Sequence, residues 1–158
     1  RGLIGYRSEF MTDTRGTGLL NTIFSGYEEF KGEITHRKNG AMVADRKGKS
    51  TAYALWNLQE RGRIFILAGT ECYEGMIIGE NAKENDMIVN VAREKKLTNV
   101  RASGTDEAIK LTPVKLMTLE QAMEWILDDE MVEVTPLNIR LRCRNLNPHD
   151  RKRSSASE

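Results

Sequence analysis

The chain has 158 residues, and its 24 Lys and Arg against 23 Asp and Glu give a formal net charge of +1. This length allows one ordinary domain, or one domain and part of another. Hydrophobic residues make up 39% and charged residues 30% of the chain, as in soluble globular proteins. These values, and the lack of an apolar run near ~20 residues, exclude a collagen-like fibre, wholesale disorder and a membrane helix. No signal-peptide pattern is present, and a cytoplasmic protein without membrane contact is expected.

Cysteine and histidine are too few and too scattered for a metal or redox site. Cys72 and Cys143 form no CxxC motif and no disulfide framework, which fits a reducing compartment. His36 and His149 lie far apart and far from both cysteines. We therefore expect no metal, and Cys143 is expected to be a small core hydrophobe.

Opposite charges are sorted into blocks along the chain. Residues 35–63 hold seven bases and two acids, residues 93–115 hold six bases and three acids, and residues 137–158 hold six bases and two acids. Residues 118–134 hold six acids and no base. Such sorting predicts a basic face on a protein without a basic total charge.

The first thirty residues read as one helix and one strand. Leu3, Tyr6 and Phe10 have helical spacing within residues 1–14, and Gly16 and Gly18 provide a stop. Residues 19–30 are rich in β-favouring side chains. One helix and one strand cannot bury a core alone. This region is therefore expected to complete a domain whose other strands lie outside the sequence.

After a polar boundary at residues 31–39, short strands alternate with glycine turns and two helices. Ser50 is predicted to cap a helix over 51–61. Thr118 and Gln121 have capping-box spacing before an apolar helical stripe. The chain is polar and basic from residue 147. The pattern predicts an α+β fold with a small, strongly bent sheet or partly closed barrel. The strands are predicted at 41–44, 63–68, 76–78, 87–92, 108–111, 132–135 and 139–144.

No catalytic constellation is evident. Gly48, Lys49 and Ser50 resemble the end of a phosphate loop, but Val43 stands where the motif needs glycine. A helix cap and a surface base explain these residues better, although Lys49 remains able to contact a phosphate. We expect no enzymatic activity from this chain.

Residues 95–106 combine cations with small polar groups, the side chains that contact RNA phosphates, sugars and base edges. An ordinary surface loop is the alternative. The side chains that would make these contacts are Lys95, Lys96, Thr98, Asn99, Arg101 and Ser103.

The last predicted strand places three arginines on one side. Arg140, Arg142 and Arg144 alternate with Ile139, Leu141 and Cys143. Alternate strand residues are about 6.6 Å apart, which suits a row of phosphates. Pairing of this face with the acidic helix is the alternative. Aromatic residues are only 6% of the chain, so structured RNA is a better ligand than stacked single strands.

Several segments together resemble the C-terminal part of the TypA/BipA family of translational GTPases, which are related to elongation factor G. The resemblance covers nearly the whole chain up to the basic tail. It is carried by residues 1–10 (RGLIGYRSEF), 13–18 (DTRGTG), 58–62 (LQERG), 73–79 (YEGMIIG) and 95–108 (KKLTNVRASGTDEA).

The resemblance implies a division of the chain into three parts. Residues 1–31 would be the closing helix and strand of an incomplete, ferredoxin-like domain similar to domain V of elongation factor G. Residues 32–147 would be the family's C-terminal domain, strand-rich and barrel-like with two helices. Residues 148–158 would be a basic, flexible tail. The GTP-binding domain lies outside this sequence, so no GTP, Mg²⁺ or other cofactor is expected on it.

The resemblance also implies a ribosome-binding function, in stress and low-temperature adaptation and in large-subunit assembly. The chain would act as a monomer on large-subunit rRNA and the acceptor end of A-site tRNA. The loop residues named above inherit the tRNA or rRNA contact. Further rRNA contacts are expected from Lys49, Arg140, Arg142, Arg144, Arg151, Lys152 and Arg153. The alternative is a protein-interaction module that docks a basic partner through the acidic helix, residues 118–129.

Overall fold

A computed structural model describes residues 6–29, 32, 37–94, 111–148 and 150–151. Strands dominate this part of the chain, and the α+β class is confirmed. The helices are α1 (Tyr6–Asp13), α2 (Ala52–Gln59) and α3 (Leu119–Trp125). The strands are β1 (Ala41–Ala44), β2 (Gly48–Lys49), β3 (Gly62–Ile64), β4 (Glu71–Cys72), β5 (Met76–Asn81), β6 (Met87–Val89), β7 (Glu130–Val134) and β8 (Ile139–Cys143).

The main sheet is built around β5. Its strand order is β6-β1-β5-β8-β7, and β3 also pairs with β5. Met76 and Ile77 pair with β8, whereas Gly79 to Asn81 pair with β3, so two short strands share one edge of β5. Among the described strands the sheet stays open, and the predicted barrel is not closed. A separate two-stranded ladder joins β2 to β4.

Each face of the sheet supports a separate apolar cluster. Met42 and Ala44 point into the cluster that contains Leu55 of α2. Ala41 and Val43 point the other way, into the cluster that contains Ala122 of α3. All four residues of β1 are buried. Because it is covered on both faces, β1 reads as a continuous apolar run rather than as an alternating one.

The cap of α2 differs from the prediction by one residue. Thr51, not Ser50, is the N-cap, and its hydroxyl accepts a hydrogen bond from the Ala54 amide at 3.1 Å. Ser50 is buried, donates to the Leu67 carbonyl at 2.9 Å and accepts from the Thr70 amide at 3.0 Å. Its hydroxyl thus closes the turn between β3 and β4.

Helix α3 begins with the predicted capping box. The Thr118 hydroxyl accepts from the Gln121 amide, and the Gln121 side chain accepts from the Thr118 amide. The predicted apolar stripe of this helix does not lie wholly against the core. Ala122 is fully buried and Ile126 half-buried, but Leu119, Met123 and Leu127 are exposed. The reason is geometric, because Leu119 and Met123 lie on the flank of the helix and Leu127 follows its extended C-cap residue, Ile126.

The first segment agrees with the prediction only in its helix. Helix α1 lies within the predicted range, and Gly16 ends it at a φ of 78°. No strand forms in residues 19–29, where Leu19, Ile23 and Tyr27 are each more than 90% exposed. A strand needs a neighbour, and none of the described strands pairs with this segment.

Two further predictions touch residues outside the described ranges. Most of the proposed boundary at residues 31–39 is not described, so the division into domains stays a prediction. Of the predicted strand at 108–111, only Leu111 is described, and it is not in a strand.

Candidate nucleic-acid interface

The described segments on either side of residues 95–106 are held by opposite ends of α2. The loop residues Lys95, Lys96, Thr98, Asn99, Arg101 and Ser103 lie outside the described ranges. Before the loop, the Thr51 amide donates to the Val91 carbonyl at 3.0 Å, and the Thr51 hydroxyl donates to the Arg93 carbonyl. After the loop, Gln59 brackets Thr112 by donating to its carbonyl at 2.9 Å and accepting from its amide at 3.1 Å.

Exposed cations surround the point where the chain enters this loop. Lys49 is exposed on β2, opposite Glu71 of β4, without an ion pair to any described residue. Gly48 lies against Ala92, since a Cβ on the glycine would be 2.7 Å from the alanine Cβ. We call Lys47, Lys49 and Arg93 the entry patch, and in the described part of the chain none of the three is paired with an acid.

A further cation marks the point where the chain returns from the loop. Arg63 of β3 is exposed and lies opposite Glu80 of β5 in the sheet, yet no ion pair joins them. It borders a polar cleft of about 480 Å³, which Gln59 and Thr112 also line. Sequence reasoning missed Lys47, Arg63 and Arg93, although the charge count of residues 35–63 and 93–115 contains them.

The arginine row of β8 is partly engaged within the protein. Arg140 donates to Glu133 of β7 at 3.2 Å, and Tyr73 donates to the other oxygen of that carboxylate at 2.6 Å. Both contacts, Tyr73 first, lower the pKa of Glu133. Burial and the same hydrogen bond raise the pKa of Tyr73. The acid that pairs with the row thus lies on the neighbouring strand and not on the acidic helix.

The other arginines of this region differ in exposure. Arg142 is half-buried and donates to the Cys143 carbonyl at 3.3 Å, whereas Arg144 is exposed. Arg151 is half-buried, with one guanidinium nitrogen 3.0 Å from the Cys143 sulfur. Lys152 and Arg153 lie outside the described ranges. Of the described arginines of this region, only Arg144 is exposed, which makes it the most accessible to a phosphate.

The two cysteines are buried parts of the core. Cys143 belongs to the cluster beneath α3, as predicted, and Cys72 to the cluster beneath α2. Burial raises the pKa of the Cys72 thiol to about 11 and also raises that of Cys143. Both thiols are therefore poor nucleophiles at neutral pH.

A metal cluster and a membrane-spanning helix are both absent from the described residues. These residues contain no group of three or more His, Cys, Asp and Glu side chains that is able to hold a metal ion. They also contain no helix whose length and apolar character would let it cross a membrane.

The family profile described as the TypA/BipA C-terminal domain matches residues 39–148. The chain belongs to the TypA/BipA family. This match takes in α2, α3, every strand of both sheets and the loop between α2's two anchor points. The resemblance found in the sequence motifs is therefore confirmed.

Curated TypA/BipA relatives agree with this assignment. The chain is 55% identical over 156 residues to proteins named large ribosomal subunit assembly factor BipA from Escherichia coli strain K12 and Haemophilus influenzae. It is 52% identical to the protein of that name from Buchnera aphidicola. Each alignment covers 98% of this chain but only 25–26% of the relative. The chain thus spans about a quarter of the length of these relatives.

Proposed function

We propose that this chain binds large-subunit rRNA and the acceptor end of A-site tRNA, chiefly through residues 95–106. The observation that carries the proposal is the fixing of both loop ends on α2, with cations beside each end that pair with no described acid. Lys49 and Arg93 lie at the entry and Arg63 at the return. Cations held near a polar, basic loop favour phosphate and sugar contacts.

Family membership supports the ribosome as the partner. The relatives carry the name large ribosomal subunit assembly factor. We propose the same association for this chain, as a monomer in the cytoplasm, in large-subunit assembly during stress and growth at low temperature. Within it, Arg142, Arg144 and the basic tail would add rRNA contacts, and Arg140 less because Glu133 already binds it.

The proposed role is one of binding and positioning, without chemistry on this chain. The described residues offer neither a metal cluster nor an activated thiol. Nucleotide hydrolysis and its cofactors are proposed to reside elsewhere in the full-length protein.

The test is co-sedimentation of the chain with purified large ribosomal subunits over a salt series. Lys95, Lys96 and Arg101 are replaced together by alanine. Affinity is expected to fall, and the log–log salt slope to become shallower by about 2 to 3, near 0.7–0.9 for each lost phosphate contact. The midpoint of thermal unfolding should barely change.

A matched control replaces Arg7, Arg15 and Lys83 by alanine, three exposed bases outside residues 95–106. This variant loses the same charge and should keep the salt slope of the parent chain. Equal losses in the two triple variants would reject the loop as the binding element and leave only a general charge effect.

A further inference from the structure

The outer flank of α3 displays exposed apolar side chains. Leu119 is 41% exposed and Met123 51% exposed, one helical turn apart. Leu116, just before the helix, is 61% exposed, and Leu127, just after it, is 40% exposed. Leu119 and Met123 lie within the helix, whereas Leu116 and Leu127 lie just outside its two ends.

The core does not use these four side chains. Helix α3 packs on the sheet through Ala122, Trp125 and Ile126. The Trp125 ring meets Phe65 edge-on, with ring centroids 5.2 Å apart. The inner side of the helix is thus filled, and the row on its flank remains as surface.

An acidic row runs beside the apolar one. Glu120 and Glu124 each follow a residue of the apolar stripe, and neither forms an ion pair with any described residue. Asp128 and Asp129 extend the negative charge. Glu120 and Glu124 differ in this from Glu130 and Glu133, which are bound to Arg37 and Arg140. Phosphates would be repelled here, so RNA does not fit this face.

We propose that this face docks a basic amphipathic helix of a large-subunit protein. Apolar side chains of that helix would cover Leu119 and Met123, and its Lys or Arg side chains would lie opposite Glu120 and Glu124. The apolar pair Leu119 and Met123 and the acidic pair Glu120 and Glu124, each spaced by four residues on α3, match the surface of a single helix. Opposite charge beside the apolar row fixes the orientation of the partner. The proposal rests on the ribosome association above, but it uses a different surface.

The experiment places a photoreactive benzoylphenylalanine at position 123 of the chain. The probe is the complete set of large-subunit proteins, extracted from purified subunits and freed of RNA. A crosslink to one Lys- and Arg-rich helical segment, mapped by mass spectrometry, is expected. The photoreactive residue at position 137 is the control, because Leu137 is 90% exposed on the turn between β7 and β8. It should not label that segment.

Charge reversal gives the decisive comparison. Glu120→Lys with Glu124→Lys should lower the crosslink yield at least about tenfold, or about 1.4 kcal/mol. Glu74→Lys with Glu84→Lys changes the net charge by the same amount on exposed sites away from α3. This control variant should keep the crosslink yield of the parent chain. Equal effects of the two reversals would overturn the proposal. The proposal would also be overturned by labelling that is spread over many basic proteins or that falls on this chain itself. A yield from position 123 no higher than that from the control position 137 would overturn it as well.

The two proposals fail in different ways. The Lys95, Lys96 and Arg101 alanine variant should crosslink to RNA-free proteins as the parent does. If that variant binds subunits as the parent chain does while the parent's crosslink forms, RNA binding alone is rejected. Normal subunit binding without the crosslink would reject the docking face alone.

Discussion

Arg37 and Glu130 lie 93 positions apart in the sequence and form a buried, bidentate ion pair. The guanidinium nitrogens are 2.8 and 2.9 Å from the two carboxylate oxygens, and the side chains are only 4% and 3% exposed. The guanidinium also lies 3.9 Å above the Trp125 ring. The pair therefore joins the segment before β1 to the start of β7, across the layer that holds α3.

Removing one partner of this pair should destabilise the fold strongly. Glu130→Gln leaves the buried guanidinium without its counter-charge, and we expect a loss of about 3–5 kcal/mol in the free energy of unfolding. Burial raises the pKa of Glu130 more than Arg37 lowers it, so the charge is held at a cost. Arg37→Met with Glu130→Leu should therefore recover most of the loss. Urea unfolding measures both variants, and a double variant as unstable as the single one would contradict this account.

Protonation of Glu133 should account for part of the stability that the fold loses at acid pH. Its folded pKa is lowered below the ordinary value of 4.5, chiefly by the Tyr73 hydrogen bond. Its stabilising contribution is thus present above pH 4.5 and is lost as pH falls through the lowered folded pKa. In Tyr73→Phe, the free energy of unfolding should fall less steeply as the pH is lowered, when it is measured over an acid pH series. Tyr53→Phe is the control, since the Tyr53 hydroxyl bonds to no described residue. Identical pH profiles of the two variants would exclude the Tyr73 contact as the cause.

The anchor between Gln59 and Thr112 should be visible in hydrogen exchange. Gln59→Ala removes both hydrogen bonds to the Thr112 backbone. We expect the Thr112 amide to exchange about fivefold faster, because one hydrogen bond contributes about 1 kcal/mol. Glu60→Ala, on the neighbouring exposed position, should leave that rate unchanged. Unchanged Thr112 protection in Gln59→Ala would show that other contacts hold the return of the loop.

Substitutions of Lys49 and Arg140 should separate an effect on subunit binding from an effect on the stability of the fold. Lys49 is exposed and unpaired among the described residues, so Lys49→Ala should weaken subunit binding with little change in unfolding. Arg140 is only 28% exposed and bonded to Glu133, so Arg140→Ala should affect unfolding more and binding less. Co-sedimentation and urea unfolding of both variants give the comparison. The reverse ranking would mean that the arginine row, not the entry patch, contacts the phosphates.

Local pattern was sufficient to find most elements of the fold. The apolar run Ala41–Ala44 and the glycine-framed run that contains Ile77 both form central strands. Thr118 and Gln121 mark the start of α3, because a capping box is a short-range signal. The glycines also place turns correctly. At Gly62 a Cβ would lie 2.0 Å from the Glu80 carbonyl oxygen, so this strand pairing requires glycine.

Contacts between distant segments could not be predicted in the same way. Nothing near Arg37 in the sequence points to Glu130, and the parallel pairing of β1 with β6 has no local signature. The exposure of Met123 also depends on how α3 sits on the sheet, since helical spacing alone does not separate a flank from an inner side. In the candidate interface, the basic residues could be read from the sequence. Which of them pair with an acid depends on the fold.

Because both anchor points of the loop are hydrogen-bonded to α2, the length of this helix fixes the distance between them. Eight helical residues extend about 12 Å, and residues 95–110 must leave and rejoin the domain across that span. The entropy of closing this segment is therefore lost on folding and would not be lost again in the proposed RNA binding. Because doubling a loop adds only about 0.6 kcal/mol, lengthening this segment should change the stability of the domain very little.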